Sequence, residues 1–225
     1  SFLENDRTGD LVMKCVILAN GDFGNTKVYK HLLKEADIIL CADGGANYAY
    51  EMGVFPSYIV GDMDSILPPV KAYFQERGVE FKVFPRRKDF TDTQLILILA
   101  EELGADEIVF LGSLGKRLDH TLSNLYSGAE LALRGKRIWH YTPDYSVYLV
   151  NQEIVIHGEI GDTVSVLAIT DQARGVYEEG FEYPLDDVIL KKWNPYAISN
   201  VLKEKQATIR VREGLLLVFH YRNRV

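Results

Sequence analysis

The sequence predicts an α/β protein, with an amino-terminal parallel sheet carrying helices on both faces and a carboxyl-terminal all-β sandwich domain. Three observations carry this expectation. From Val16 to about Tyr141, short β-rich apolar runs alternate with longer segments of helical period. Those runs are continuously apolar, as strands buried on both faces read. After about Pro143 no long helical period returns, and short β-rich runs follow one another between turn signals.

The predicted strands of the first part are VILAN (16–20), IILCA (38–42), YIVG (58–61), FKVF (81–84), EIVFL (107–111) and RIWHY (137–141). Between them lie helical segments at 26–36, 46–52, 68–78, 91–104 and 118–135. Proline opens the third, glycine closes three, and Asp, Thr or Asn stand near several starts. Right-handed crossovers put such helices on both faces of a parallel, Rossmann-like sheet. The second part offers YSVYLV (145–150), EIVIHG (153–158), DTVSVLAI (162–169), GVYEEGFEYP (175–184), TIRV (208–211) and LLLVFHY (215–221), with a hairpin expected at Glu213-Gly214. The expected division is a disordered tail at 1–12, an α/β domain at 13–143 and a β-sandwich at 144–225.

Composition sets bounds on function. A net charge of −7 and a pI near 5.3 argue against a general nucleic-acid or anionic-membrane surface. No apolar run approaches the roughly 20 residues that span a bilayer, and residues 1–10 are too polar for a signal peptide, so a cytoplasmic protein is expected. The two cysteines suit a reducing compartment. If Cys15 and Cys41 lie on neighbouring parallel strands, their offset exceeds disulfide reach, and both are expected as buried thiols.

In open parallel sheets ligands bind beyond the carboxyl ends of the strands. Here those turns bring Asp22, Asp43, Asp62, Asp64, Asp89, Asp92 and Asp119 to one edge, with Lys88, Lys116 and Arg117. So many carboxylates repel one another unless a cation lies among them. They are hard oxygen donors without paired His or Cys, which favours magnesium over zinc. Magnesium commonly completes its shell with water and substrate phosphates, so a metal-bound nucleoside triphosphate is the implied ligand. Other readings stand beside this one. An Asp pair after a strand is often a solvated turn, and DFTD (89–92) also reads as a helix start with Asp89 or Thr91 as N-cap. GSLGKR (112–117) lacks the full phosphate-loop pattern, and no GxGxxG follows the first strand. The DxDS pattern at 62–65 also occurs in haloacid-dehalogenase phosphatases, where it closes the first strand; here two predicted strands precede it.

In order along the chain, DGGA (43–46), GDMDS (61–65), KDFTD (88–92) and GKRLDHT (115–121) resemble the motif series of thiamin pyrophosphokinases. The likeness continues more weakly through GFEYPL (180–185) and ISN (198–200). The resemblance implies magnesium-dependent transfer of a diphosphoryl group from ATP to the hydroxyl of thiamin, by a homodimer whose interface completes the thiamin site. It implies Asp62, Asp64 and Asp92 as magnesium ligands, and Asp64, Asp92, Arg117 and Asp119 as catalytic residues. Nucleotide contacts fall to Asp43, Gly44, Lys88, Asp89, Thr91, Arg117 and His120, and thiamin contacts to Tyr183, Ser199 and Asn200. The chain departs from the family pattern in Ala197-Ile198 before the Ser-Asn pair, in Phe90, and in an insert-like stretch around WNPY (193–196). Two other functions fit parts of the pattern. A metal-dependent nucleotide-sugar transferase would use the DxD alone, and a non-catalytic nucleotide sensor could share the fold.

Overall fold

The computed structural model describes residues 12–84 and 90–223. Lys88, Asp89 and, except for Val12, the expected tail lie outside them. Two compact units emerge: Val12–Gly128 with His140–Thr142, and Ala129–Trp139 with Pro143 and the residues after it.

The first unit is built on parallel strands β1 (Lys14–Leu18), β2 (Ile38–Ala42), β3 (Tyr58–Val60), β4 (Glu80–Lys82) and β5 (Glu107–Leu111). They pair in the spatial order β5-β1-β2-β3-β4. Every residue of β5 and Cys15 to Leu18 of β1 are buried, so both faces of the central strands are covered. Full burial of side chains such as Ile17, Leu40 and Phe110 stabilises the fold by about 1.5–3 kcal/mol each. The parallel register sets Cys15 opposite Ile38 and Cys41 opposite Leu18. Both cysteines are free and buried, and burial pushes the Cys15 thiol up to about 12 and raises Cys41 likewise.

The helices are α1 (Lys30–Lys34), α2 (Gly45–Met52), α3 (Pro68–Glu76), α4 (Asp92–Glu102), α5 (Leu118–Ser127) and α6 (Ala129–Leu133). A 3-10 turn at Thr26–Tyr29, capped by the Asn25 side chain, leads into α1. The helical segment expected at 118–135 is two helices interrupted at Gly128. Ser127 Oγ donates to the Ser123 carbonyl at 2.7 Å, a local bond that weakens continuation of the helix. Because β1 lies between β2 and β5, the chain leaves β1 on one side and returns on the other through α4. This reversal is a topological switch point, where open sheets hold ligands. There the Ala19 N–H donates to the Leu111 carbonyl at 2.8 Å, joining the loops that follow β1 and β5.

In the second unit, β7 (Tyr145–Val150), β9 (Thr163–Ala168), β12 (Asn200–Val201) and β14 (Leu216–Tyr221) pair antiparallel in the order β12-β9-β14-β7. The other sheet runs β11-β10-β13-β8, from β8 (Glu153–His157), β10 (Gln172–Glu179), β11 (Leu185–Lys191) and β13 (Gln206–Arg210). Ile154, Ile156, Val164, Val166, Ile209 and Val218 contribute to one buried cluster drawn from both sheets. β6 (Arg137–Tyr141) is shared between the two units.

Two sequence expectations change here. Glu213-Gly214 does not close a hairpin, because β13 and β14 belong to different sheets and the turn carries the chain between them. Its strand-like contact is instead with Arg174, whose N–H donates to the Glu213 carbonyl at 2.8 Å. No strand was expected between 185 and 191, yet β11 lies there, just before the WNPY stretch, paired with β10 through irregular register. Asp186, Asp187 and Lys191 are exposed and hide the inward Val188 and Leu190. Among the described residues no helix is long and apolar enough to cross a membrane.

Candidate functional site

Four candidate acidic residues of the first unit follow the carboxyl ends of its strands. Asp22 follows β1, Asp43 follows β2, and Asp62 and Asp64 follow β3. Asp43 has a left-handed backbone, φ 44°, and its Oδ1 accepts the Met63 N–H at 3.2 Å. Burial is the main cause that pushes its carboxyl up to about 6; the Met63 bond opposes this, and the charges of Asp62 and Asp92 add to it. Two carboxylates from other segments, Asp62 after β3 and Asp92 at the start of α4, therefore act on Asp43. The β3 loop makes room for this with Gly61 at φ 130°: a β-carbon there would lie 1.9 Å from Asp43 Oδ1.

The closely spaced pair after β3 divides its work. Asp62 Oδ1 accepts the Asp64 N–H at 3.1 Å and shapes the turn, while the Asp64 side chain is exposed. Asn47 of α2 pins the same loop, donating from Nδ2 to the Ser65 carbonyl and accepting the Leu67 N–H, each at 3.0 Å. Sequence reasoning missed Asn47, because only the fold brings α2 against that loop. Asp92 opens α4. It is placed by a capping box in which Thr91 Oγ1 accepts the Gln94 N–H at 3.2 Å and Gln94 Oε1 accepts the Thr91 N–H at 2.8 Å. Thr91 is thus the N-cap, and its hydroxyl is engaged in the helix. Gly44 is buried immediately before α2, and Asp22 Oδ1 accepts the Gly24 N–H at 3.0 Å.

After β5, Arg117 at the N-cap of α5 and Asp119 in its first turn form a two-point pair, Nε to Oδ1 at 3.0 Å and Nη2 to Oδ2 at 2.7 Å. The hydrogen bond from Arg117 holds the Asp119 carboxyl down at about 2 and raises the guanidinium in turn. Both side chains are exposed, so the pair orients the guanidinium more than it stabilises the fold. His120 is exposed in the first turn of α5.

A polar chain links the part-buried Thr93 and Asn124 to the buried Ser113 and His140. Thr93 Oγ donates to Asn124 Oδ1 at 2.7 Å, and Asn124 Nδ2 donates to the Ser113 carbonyl at 2.7 Å. Ser113 Oγ shares a 2.7 Å bond with His140 Nδ1, and the His140 ring stacks on Phe110 at 4.7 Å. Among the described residues His140 Nε2 meets no hydrogen-bond partner. A charged imidazole would bury an unmet N–H, so the ring is neutral and burial pushes it down to about 3. In the unfolded chain it titrates near its ordinary value, about 6.5. The unfolded state therefore binds its proton first as pH falls. The contribution of His140 to stability is complete above about pH 6.5 and is lost as pH falls toward about 3. His140→Phe should flatten melting temperature against pH between about 6.5 and 4. Equal slopes for the two proteins would exclude His140 as the source.

In the second unit, Tyr183 and Ser199 are exposed and Asn200 is buried. Ser199 takes φ 59°, and its N–H donates to Ser165 Oγ at 2.9 Å. Asn200 Nδ2 donates to the Tyr183 carbonyl at 2.8 Å, and Asn200 Oδ1 accepts the Tyr183 N–H at 3.1 Å. A residue absent from the sequence expectations, Glu178, accepts from the same Nδ2 at 2.7 Å. Its signal was present in the chain, since period-two alternation puts Glu178 on the side of the inward Val176.

Among the described residues no three His, Cys, Asp or Glu side chains stand ready as a metal cage, and this includes Asp62, Asp64 and Asp92. The donor chemistry nonetheless suits a hard cation: the carboxylates are oxygen donors, and beyond burial, the main cause, the charges of Asp62 and Asp92 also push the Asp43 carboxyl up.

Fold and site together define a protein of the open-sheet α/β class, with its candidate binding edge at the switch point and an all-β unit following. Comparison with known proteins narrows the class. The family model for the thiamin pyrophosphokinase catalytic domain matches residues 29–140, and that for the thiamin pyrophosphokinase vitamin B1 binding domain matches residues 151–216. Thiamine pyrophosphokinase 1 of Oryza sativa subsp. japonica is 28% identical, with 85% of this chain and 82% of the relative aligned. The Bacillus subtilis thiamine pyrophosphokinase is 25% identical over 78% of this chain and 83% of its own. Its crystal structure aligns with a TM-score of 0.81 at 22% identity, covering 94% of this chain and 100% of that one. The Candida albicans thiamin pyrophosphokinase structure aligns with a TM-score of 0.77 at 19% identity, over 93% and 89%. The chain belongs to the thiamin pyrophosphokinase family.

Proposed function

We propose that this chain is a thiamine diphosphokinase, transferring a diphosphoryl group from ATP to the hydroxyl of thiamin to give thiamin diphosphate and AMP. The reading is supported by Asp43 after β2, which feels the charges of Asp62 and Asp92, and by the oriented Arg117–Asp119 pair after β5. In the reaction the thiamin hydroxyl oxygen bonds to the β-phosphorus. The bond from that phosphorus to the oxygen bridging the α-phosphorus breaks, AMP leaves with the bridging oxygen, and the hydroxyl proton passes to a carboxylate of the edge. Such transfers depend chiefly on alignment and charge neutralisation, because negative charge spreads over the phosphoryl oxygens. Arg117, aimed by Asp119, is placed to neutralise part of it.

Asp62, Asp64 and Asp92, with Asp43 beside them, are the residues that would hold magnesium. When bound, the ion supplies charge neutralisation on the phosphates. Lys88, Asp89 and His120 complete the proposed nucleotide contacts. Tyr183, Ser199 and Asn200 are assigned to thiamin across the interface of a homodimer, and the enzyme is placed in the cytoplasm. Incubation with MgATP and thiamin tests the reading, with thiamin diphosphate and AMP expected in equal amounts. Sugar-dependent release of UDP or GDP would instead mark a nucleotide-sugar transferase, and nucleotide binding without turnover a sensor; either defeats the proposal.

A further inference from the structure

A buried carboxylate stands behind the residues assigned to thiamin. Glu178 on β10 is fully buried, faced by Asn200, and burial pushes its carboxyl up to about 7 against the opposing pull of the Asn200 bond. Its Oε2 accepts from Asn200 Nδ2 at 2.7 Å, while among the described residues its Oε1 meets no hydrogen-bond partner. A buried acid with one oxygen unmatched costs stability, so its presence points to a task beyond packing.

The surroundings of Asn200 show what that task is. Its Oδ1 receives two backbone N–H groups, Tyr183 at 3.1 Å and Val201 at 3.0 Å. Two donors on that side require the amide nitrogen to face the other way, where the acceptors are the Tyr183 carbonyl at 2.8 Å and Glu178. Every hydrogen-bonding position of the carboxamide is used, and both backbone groups of Tyr183 end on it. The segment is latched further by the Glu182 N–H on the Val201 carbonyl at 2.9 Å and the Lys203 N–H on the Gly180 carbonyl at 3.0 Å. Tyr183 itself is 64% exposed, so its ring is presented to solvent from a backbone held at depth.

We infer that Glu178 is a positioning residue for thiamin: its carboxyl fixes the Asn200 carboxamide, which fixes the Tyr183 backbone and the Ser199-Asn200 turn. The inference rests on the assignment of Tyr183, Ser199 and Asn200 to thiamin. Remove the acceptor, and one amide hydrogen of Asn200 is buried without a partner, which favours rotation of the carboxamide and release of Tyr183. Glutamine at 178 retains a carbonyl oxygen that can accept the same bond, whereas leucine and methionine fill the space without one.

Steady-state kinetics of the full chain test it. Turnover of thiamin by the unaltered protein is measured first, and its absence would defeat the functional reading and not this one alone. Given turnover, Glu178→Leu and Glu178→Met should each raise the KM for thiamin about tenfold, the scale of one lost buried hydrogen bond to a charged group, with kcat and the KM for ATP within about twofold. Glu178→Gln should restore the KM for thiamin to within about threefold of the unaltered protein. Because Glu178 acts through Asn200, adding Glu178→Leu to Asn200→Ala should raise that KM no further. The inference is overturned by an unchanged KM in the Leu and Met variants, by additive effects in the double variant, or by Gln behaving like Leu. Loss of folded protein in both apolar variants, or equal damage to kcat and to both KM values, would also overturn it, because the carboxyl would then serve stability.

Discussion

Asp64→Asn is expected to abolish most turnover while leaving the protein folded. The side chain is exposed, and the bond that shapes its turn uses the Asp64 backbone N–H, which asparagine keeps. The substitution therefore removes one negative charge and changes little else. If Asp64 helps hold the ion that neutralises the transferred phosphates, several kcal/mol of transition-state stabilisation are at stake. With each ~1.4 kcal/mol worth a factor of ten in rate, kcat should fall on the order of 10²- to 10³-fold. The magnesium concentration for half-maximal rate should rise as well, because a neutral amide is a weaker ligand than a carboxylate. Rate against magnesium concentration, beside a melting curve, separates the two effects. Activity equal to that of the unaltered protein at low magnesium would remove Asp64 from the metal group.

Features that depend on near neighbours could be read from the chain. The apolar runs at 38–42 and 107–111 became β2 and β5 with the same ends, because strands buried on both faces favour near-continuous apolar residues. The placing of Asp43 and Asp62 after neighbouring strands was legible for a related reason: parallel strands joined by right-handed crossovers bring all their following loops to one edge. Cys15 and Cys41 were legible as separate thiols, since the parallel register keeps them apart along neighbouring strands.

Features that depend on partners distant in the chain were hidden. Glu213-Gly214 has the composition of a hairpin, but whether a turn joins strands of one sheet or passes between two is decided by packing across the sandwich. β11 was obscured by its exposed charges, as the irregular register with β10 breaks the strict alternation that marks a half-buried strand. The site shows the same division. Acid residues could be assigned to loops and Thr91 offered as an N-cap, yet the grip of Asn47 on the β3 loop and the pairing of Glu178 with Asn200 required contacts that spacing does not encode.

Gly61→Ala should damage both stability and catalysis, and a second glycine separates the causes. Gly61 sits at φ 130°, where a side chain costs about 1–3 kcal/mol in backbone strain alone. Gly53, at the end of α2, also has a positive φ of 68°, but a β-carbon there meets nothing within 4 Å. Gly53→Ala therefore reports strain by itself. At Gly61 the added carbon would sit 1.9 Å from Asp43 Oδ1, far inside contact distance, so either the β3 loop or the Asp43 carboxylate must move. Asp43 cannot swing freely, since its Oδ1 holds the Met63 N–H and its own N–H is bound to the Val60 carbonyl at 2.8 Å. Displacing the loop moves Asp62 and Asp64 with it, and a shift near 1 Å at a phosphoryl-transfer site costs on the order of 100-fold in rate. Gly61→Ala should thus lose more stability than Gly53→Ala in urea titrations and, at a temperature where both are folded, fall well below it in kcat/KM for ATP. If the two variants lose equal stability and Gly61→Ala keeps full activity, the packing of Gly61 under Asp43 plays no part in forming the edge.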